Sequence, residues 1–146
     1  MPSFSNISKE RLQTCHNDLR VLFGHVIQNY DCTIVEGHRG KERQNKAFAE
    51  GKSQLKWPNS KHNKYPSLAV DAAPYEKKGI DWSKTQVIAF AFYVKGVADQ
   101  LYNSGVMTHR IRLGADWNKN NDIDDETFLD APHFEIILNE NEKDTH

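Results

Sequence analysis

Apolar residues recur at three- and four-residue steps in two long segments of the chain. The first segment, residues 8–29, predicts one helix whose apolar side faces a core, with Ser8 as its N-cap. In the second segment, Ser83 and Gln86 have the S-x-x-Q spacing of a capping box, and the apolar period ends near Gly105. Two core-packing helices are therefore expected.

Shorter runs rich in β-branched and apolar residues predict strands. They cover residues 32–36, 68–73, 110–113 and 133–138. A third, short helix is predicted over residues 41–50, because Gly51 follows as a stop signal. The tail after Asn139 is polar, and we expect it to be frayed.

One predicted strand carries a single acidic residue, Asp71, among apolar neighbours. An ionised carboxylate is costly in such a strand unless it is paired or bound to a metal. His62 stands nine residues earlier, and the turn-forming residues 63–67 allow the chain to reverse and bring the two together. With His133 at the start of the last strand, two imidazoles and a carboxylate become the candidate ligands of a catalytic zinc.

Asp130 stands three residues before His133, where it could take a proton from a water on the metal. Glu135 is a rival for that role. The alternative is structural, because seven histidines in a chain of 146 residues produce chance pairs with nearby aspartates. Arg39 follows a strand end, where a guanidinium suits a substrate carboxylate, and the alternative is a solvated surface arginine.

A loop rich in aspartate and asparagine follows the short strand. Its oxygen-bearing side chains alternate as the ligand positions of an EF-hand do: Asp116, Asn118, Asn120, Asp122 and Asp124. Asn121 replaces the turn glycine, and Thr127 stands where the bidentate glutamate belongs. Asp116, Asn118 and Asp122 are predicted to bind calcium, and a solvated surface loop is the alternative.

Composition narrows the range of partners. The formal charge is −1, so there is no basic bias towards nucleic acid or an anionic membrane. No stretch approaches a membrane span, and the amino terminus lacks the blocks of a secretory signal. The chain length fits a single domain, and Cys15 and Cys32 are expected to be free thiols.

The motifs resemble, in their order along the chain, those of the zinc peptidases that include the D-alanyl-D-alanine dipeptidases and carboxypeptidases. They most closely resemble the phage endolysins of the L-alanyl-D-glutamate peptidase type. The segments that carry this resemblance read IVEGHR (34–39) with Gln44 following, SKH (60–62), AVDAAPY (69–75), GADWN (114–118) and DAPHFE (130–135). Together they cover most of the chain.

The resemblance implies an α+β fold with helices packed on a small antiparallel sheet. It implies a zinc held by His62, Asp71 and His133, with Asp130 as the catalytic acid and base. It also places Arg39 and Ser60 in substrate binding. Two departures stand out: the usual glycine between His62 and Asp71 is missing and their spacing is two residues longer, and Asp130 replaces the more common glutamate.

The function implied by the resemblance is an endolysin that cuts the L-alanyl-D-glutamate bond of the peptidoglycan stem peptide and so lyses the host cell. We expect one monomeric catalytic domain over residues 1–146, without a separate wall-binding domain. We also expect synthesis in the host cytoplasm and action in the periplasm after release. The alternatives are a D-alanyl-D-alanine carboxypeptidase or dipeptidase, and a zinc-containing binding module without catalysis.

Overall fold

The computed structural model describes residues 2–125 and 129–142. Within these residues the helices are α1 (Asn6–Gln13), α2 (Asn17–Val26), α3 (Lys41–Ala49) and α4 (Lys84–Asn103). The strands are β1 (Cys32–Glu36), β2 (Ala69–Glu76), β3 (Gly79–Ile80), β4 (Ile111–Leu113) and β5 (His133–Ile136). A short 3-10 helix covers Lys61–Asn63.

The strands form an antiparallel sheet in the order β1-β2-β5-β4, and β3 pairs with the far end of β2. The α+β fold expected from the sequence is therefore confirmed. The register places Asp71 opposite Glu36 on β1 and opposite His133 on β5. The two strands that flank β2 thus both present polar side chains next to Asp71.

The alternation of side chains gives the sheet two different faces. One face carries Val70 and Phe134, which are fully buried. Phe134 makes edge contacts with Phe23 of α2 and Phe90 of α4, at ring-centre distances of 5.5 and 6.1 Å. The two core helices therefore cover this face, and the polar residues of β2 and β5 lie on the opposite one.

The first predicted helix is wrong in one respect, because residues 8–29 contain two helices instead of one. The chain between α1 and α2 bonds to Ser67 instead: the Ser67 amide donates to Thr14 O, and the His16 amide donates to Ser67 O, both at 2.8 Å. His16 then caps α2. Ser5, not Ser8, caps α1, and the buried Ser8 hydroxyl accepts a hydrogen bond from the Ile34 amide.

The predicted capping box at the start of α4 is also wrong, since Ser83 occupies the N-cap position but its side chain caps no helix amide. The helix nevertheless begins and ends where its apolar period predicts. Cys15 and Cys32 are both buried free thiols, as expected. No helix within residues 2–125 and 129–142 has the length and apolar character needed to cross a membrane.

Candidate metal centre and cleft

Three potential ligands meet above the polar face of the sheet. His62 Nε2 lies 3.1 Å from Asp71 Oδ1, and His133 Nδ1 lies 3.2 Å from the same oxygen. The two nitrogens are 3.3 Å apart. His62 and His133 are buried. The three residues that the sequence predicted as ligands are thus brought together by the 3-10 helix, β2 and β5.

The far nitrogen of each ring fixes which nitrogen faces the cluster. His62 Nδ1 lies 2.8 Å from Gly37 O, and a carbonyl only accepts, so Nδ1 carries the hydrogen. His133 Nε2 lies 2.9 Å from Glu135 Oε1, so this nitrogen carries the hydrogen for the same reason. In the neutral rings the lone pairs of His62 Nε2 and His133 Nδ1 therefore both point towards Asp71.

This donor set fits a zinc ion. Bonds of about 2.0–2.1 Å to a tetrahedral zinc place neighbouring ligand atoms roughly 3.3 Å apart, close to the 3.1, 3.2 and 3.3 Å found here. Two imidazole nitrogens and one carboxylate oxygen are also the ligand types of catalytic zinc sites, which leave one position open. When both rings are neutral, three lone pairs face one another at these distances, and a cation between them removes the repulsion.

The pKa values of His133 and Asp71 also indicate that their surroundings favour a positive charge. Burial alone would lower the pKa of His133, but its hydrogen bonds to Asp71 and Glu135 raise that pKa to about 10. Burial works to raise the pKa of Asp71, yet His62 and His133 hold it well below its usual range. The carboxylate is therefore ionised and available as a ligand.

Gly37 is required where it stands, because a Cβ there would lie 2.3 Å from Arg11 O and 2.4 Å from Thr14 Oγ1. The close approach of β1 to the end of α1 holds the carbonyl that orients His62. Gly37, which directly follows β1, thus supports one of the candidate ligands.

Asp130 lies beside the ligands, with Oδ2 3.9 Å from His133 Nδ1. Its position depends on Gly114, whose carbonyl accepts from the Asp130 amide at 2.9 Å and whose own amide donates to His133 O at 2.8 Å. A Cβ on Gly114 would lie only 2.0 Å from Asp130 O. Burial, and then the charge of Asp71, raise the pKa of Asp130 to about 6.

Glu135, the rival base, lies behind His133. Its Oε1 faces His133 Nε2, while its Oε2 lies 3.2 Å from Lys61 Nζ and 2.7 Å from Arg112 Nη2. Although burial raises its pKa, His133, Lys61 and Arg112 outweigh that effect and lower it to about 2. A carboxylate that is so strongly engaged orients the ligand ring, and this arrangement favours Asp130 as the base.

Arg39 is not a solvated surface residue, because its side chain is only 9% exposed. Its Nε and Nη2 donate to Glu36 Oε1 at 3.0 and 2.8 Å, and Nη1 donates to Gln44 Oε1 at 3.0 Å. Nη2 also lies 3.5 Å from Asp71 Oδ2. The guanidinium is therefore committed largely to side chains of the protein, including a metal-ligand candidate.

Ser60 is buried at the start of the 3-10 helix. Its hydroxyl accepts from the His62 amide at 3.2 Å, and its amide donates to Asn63 Oδ1 at 3.0 Å. The Ser60 hydroxyl also accepts from the Asn63 amide, and this bond together with the one from the Ser60 amide to Asn63 Oδ1 forms a capping box around His62. Ser60 also lines the cleft, so its predicted role in substrate binding stays a prediction.

The ligands form part of the wall of a cleft of about 1110 Å³. Its lining includes Glu36, Trp82, Arg112, Trp117 and Leu129. Trp117 stacks beside His133 at a ring-centre distance of 5.2 Å. The sequence did not single out Arg112 as a cleft residue. A signal existed, because strand alternation places Arg112 opposite to the buried Ile111 and Leu113.

The aspartate- and asparagine-rich loop is folded by its own side chains. Asp116 is buried, and its two oxygens accept from the amides of Asn120 and Asn121. The Asp122 carboxylate accepts from the Asp124 amide at 2.9 Å. Asn121, at the position of the EF-hand glycine, has φ of 63°. Thr127, at the position of the EF-hand glutamate, lies outside the described residues.

Comparison with known proteins gives a consistent result. The family model of phage L-alanyl-D-glutamate peptidases matches residues 2–137. The L-alanyl-D-glutamate peptidase of Escherichia phage T5 is 32% identical over 139 residues, which cover 92% of this chain and 97% of that protein. The Serratia marcescens L-Ala D-Glu endopeptidase ChiX has a similar structure, with a TM-score of 0.69, 21% identity, and coverage of 93% of this chain and 91% of that chain.

The fold, the cleft and the cluster of donors beside a carboxylate are those of a hydrolytic enzyme with a candidate metal centre. The extent of the family match identifies the class more closely. The chain belongs to the phage L-alanyl-D-glutamate peptidase family, and the resemblance inferred from its motifs is confirmed.

Proposed function

We propose that this chain is a zinc-dependent peptidoglycan endopeptidase that cleaves the bond between L-alanine and D-glutamate in the stem peptide. The observation that carries the proposal is the convergence of His62 Nε2, Asp71 Oδ1 and His133 Nδ1, with Asp130 beside them. The name of the T5 relative, which covers nearly the whole chain, supports the choice of bond.

The roles of the residues follow from their positions. His62, Asp71 and His133 would hold zinc, which when bound supplies a Lewis acid for the scissile carbonyl and lowers the pKa of a water molecule. Asp130 would accept the proton of the attacking water and pass it to the leaving amine of D-glutamate. Glu135 and Gly37 O keep the two imidazoles in the tautomers that this arrangement needs.

The cellular setting of the proposal is host lysis by a phage. The enzyme would act as a monomer in the periplasm after release from the cytoplasm of the host cell. Its partner would be the peptidoglycan stem peptide, and no nucleic acid or membrane takes part.

Digestion of purified sacculi tests the bond. Labelling of new amino termini followed by mass spectrometry should identify D-glutamate as the exposed residue. Asp130→Asn, prepared in parallel, should release no such termini while keeping its metal. Release of free D-alanine would instead assign the chain to the carboxypeptidase alternative, and intact sacculi with the wild-type enzyme would favour the binding module.

We also propose that the loop from Asp116 binds calcium. The supporting observation is the geometry of the loop: the buried Asp116 carboxylate and the exposed Asp122 carboxylate both accept hydrogen bonds from backbone amides of the loop, and Asn121 adopts the left-handed turn that a glycine makes in an EF-hand. Asp116, Asn118 and Asp122 would supply oxygen ligands. Titration calorimetry with calcium should give a heat that Asp122→Ala removes; the absence of heat in the wild type would leave a solvated loop.

A further inference from the structure

The substrate of the proposed cleavage carries a negative charge next to the scissile bond. D-Glutamate is linked onwards through its γ-carboxyl group, so its α-carboxylate is free and sits one carbon from the scissile nitrogen. A cationic side chain in the cleft should recognise this group. Arg39 is the residue implied by the resemblance, but it is 9% exposed and three of its nitrogens already donate to Glu36 and Gln44.

Arg112 is a better placed donor. It faces Glu135 across β4 and β5, on the polar face of the sheet and two residues along β5 from His133. Its side chain is 38% exposed and lines the cleft. Its guanidinium can therefore reach a ligand that approaches the metal centre.

The guanidinium of Arg112 is also held in place before any ligand arrives. Nε and Nη2 donate to Glu135 Oε2 at 3.2 and 2.7 Å, and the guanidinium carbon lies 5.2 Å from the centre of the Trp117 ring. Within residues 2–125 and 129–142, Nη1 has no hydrogen-bond partner. Glu135 holds one edge of the guanidinium and Trp117 one face, while Nη1 remains as a donor. A cation held in this way loses little conformational freedom when it binds a carboxylate.

The charges around Glu135 leave Arg112 with affinity for an anion. Lys61 Nζ lies 3.2 Å from Glu135 Oε2, so this one carboxylate faces two cations. Lys61 also donates to Ile136 O. One positive charge is thus in excess on this wall of the cleft.

We propose that Arg112 binds the free α-carboxylate of the D-glutamate residue next to the scissile bond. Lys61 neutralises Glu135, and Trp117 supports the guanidinium. Arg39 then acts through Glu36 and Asp71 as a positioning residue of the metal centre. This inference rests on the proposed cleavage of the L-alanyl-D-glutamate bond.

The test compares two synthetic peptides that differ only at the carboxylate: N-acetyl-L-alanyl-γ-D-glutamyl-L-lysine and its D-isoglutamine counterpart, which has a neutral carboxamide. The wild-type enzyme should prefer the carboxylate peptide. Arg112→Gln should lower kcat/KM for the carboxylate peptide by about 10- to 100-fold, the range of a lost charged hydrogen bond, and lower it much less for the carboxamide peptide, so that the preference between the two peptides is lost.

Arg110→Gln is the matched control. Arg110 is fixed in the same manner, by Asp99, Asn103 and the ring of Tyr102, but it does not line the cleft. Its substitution should leave the preference between the peptides intact. Arg112→Lys, which keeps the charge beside Glu135 but not the planar fork, should show an intermediate loss and provides a second variant if the glutamine variant does not fold.

Three results would overturn the assignment. An equal loss on both peptides would mean that Arg112 only supports Glu135 and His133, and no loss on either would remove it from the site. A lost preference in Arg39→Lys, with the preference kept in Arg112→Gln, would return the carboxylate to Arg39.

Calorimetry with the product γ-D-glutamyl-L-lysine separates this inference from the proposed function. Weaker binding by Arg112→Gln supports the carboxylate site even if the wild type cleaves neither peptide, whereas cleavage by the wild type with equal product binding by both proteins contradicts it.

Discussion

Within the part of the chain that the structure describes, two groups of two histidines and one aspartate occur, and the potential ligand atoms of each group lie within 4.8 Å of one another. The cleft triad consists of His62, Asp71 and His133. The outer triad consists of His16, Asp18 and His109, and lies at the start of α2, outside the cleft lining. The same residue types in similar proximity can therefore be compared directly.

In the outer triad, hydrogen bonds already engage the ring nitrogens that face polar partners. His109 Nδ1 lies 2.8 Å from Asp18 Oδ2, and its Nε2 lies 2.7 Å from Glu142 Oε1. A protonated ring donates to both carboxylates. His16 Nδ1 is occupied as well, because it accepts from the Asp18 amide at 3.0 Å. No lone pair of these two rings is left over for a metal ion.

The cleft triad differs by one acceptor. His133 also lies between two carboxylates, but His62 Nε2 is a third acceptor at 3.1 and 3.3 Å from the others. A proton on His133 Nδ1 can form a hydrogen bond to Asp71 Oδ1, but the lone pair of His62 Nε2 then still faces the lone pairs of that oxygen. A divalent ion satisfies all three. The partners of the ring nitrogens, more than the residue types, therefore distinguish a metal site from a structural ion pair.

Metal content gives the largest expected contrast. His62→Ala, Asp71→Ala and His133→Ala should each lose the single zinc, because each removes one of only three protein ligands. His109→Ala should retain it. Elemental analysis after dialysis measures the zinc content per chain. A wild-type zinc content in any of the three cleft variants, or zinc loss in His109→Ala, would contradict the assignment of the metal site to the cleft triad.

Asp130 should differ from the three ligands in that its substitution lowers activity without removing zinc. Asp130→Asn should lower kcat by roughly 10²- to 10⁴-fold, the contribution of a general base, while the zinc content stays at one per chain. Peptide cleavage and elemental analysis on the same preparation measure both. Full activity in this variant, combined with an inactive Glu135→Gln, would make Glu135 the base.

The carboxylates behind the two buried histidines provide a finer comparison. Glu135→Gln should weaken zinc binding by about 10- to 100-fold, as expected when the partner of a ligand histidine is changed. Glu142→Gln, which alters the corresponding partner of His109, should not affect it. Competition with a chromophoric chelator measures the affinity, and equal zinc affinity in both variants would show that Glu135 does not tune the site.

The smallest effect concerns stability and pH. Burial lowers the pKa of His109, but Asp18 and Glu142 outweigh it and raise that pKa; the hydrogen bonds from His109 and Thr108 outweigh burial and lower the pKa of Asp18. The His109 contribution is therefore complete below its unfolded pKa of about 6.5 and is lost as pH rises through the folded value. The Asp18 contribution is present above about 3.9 and is lost as pH falls.

Urea unfolding of the wild type and His109→Gln should thus differ most between about pH 4 and 6.5, by about 1–3 kcal/mol, and less at pH 9. Burial lowers the pKa of His16, which acts in the opposite direction, so the difference between the two proteins is the quantity to follow. A difference that grows above pH 7 would contradict the ion-pair account of the outer triad.

Much of this molecule follows from local sequence patterns. The two apolar periods predict the core helices, although the break between α1 and α2 depends on backbone bonds to Ser67, which lies more than fifty residues away. The acidic residue in an apolar strand singles out Asp71. Alternation in β5 places His133 and Glu135 on one face and Phe134 on the other.

The sequence alone therefore determined the candidate ligands, because residue types and strand period are local properties, and it indicated the class of enzyme through the resemblance of its motifs to a known family. Only the tertiary structure decided their partners. Strand order and register set Arg112 against Glu135 and Asp71 between Glu36 and His133, and the approach of Gly37 to α1 fixed the His62 ring. Such contacts join residues far apart in the chain, and the spacing of residues along it carries no information about them.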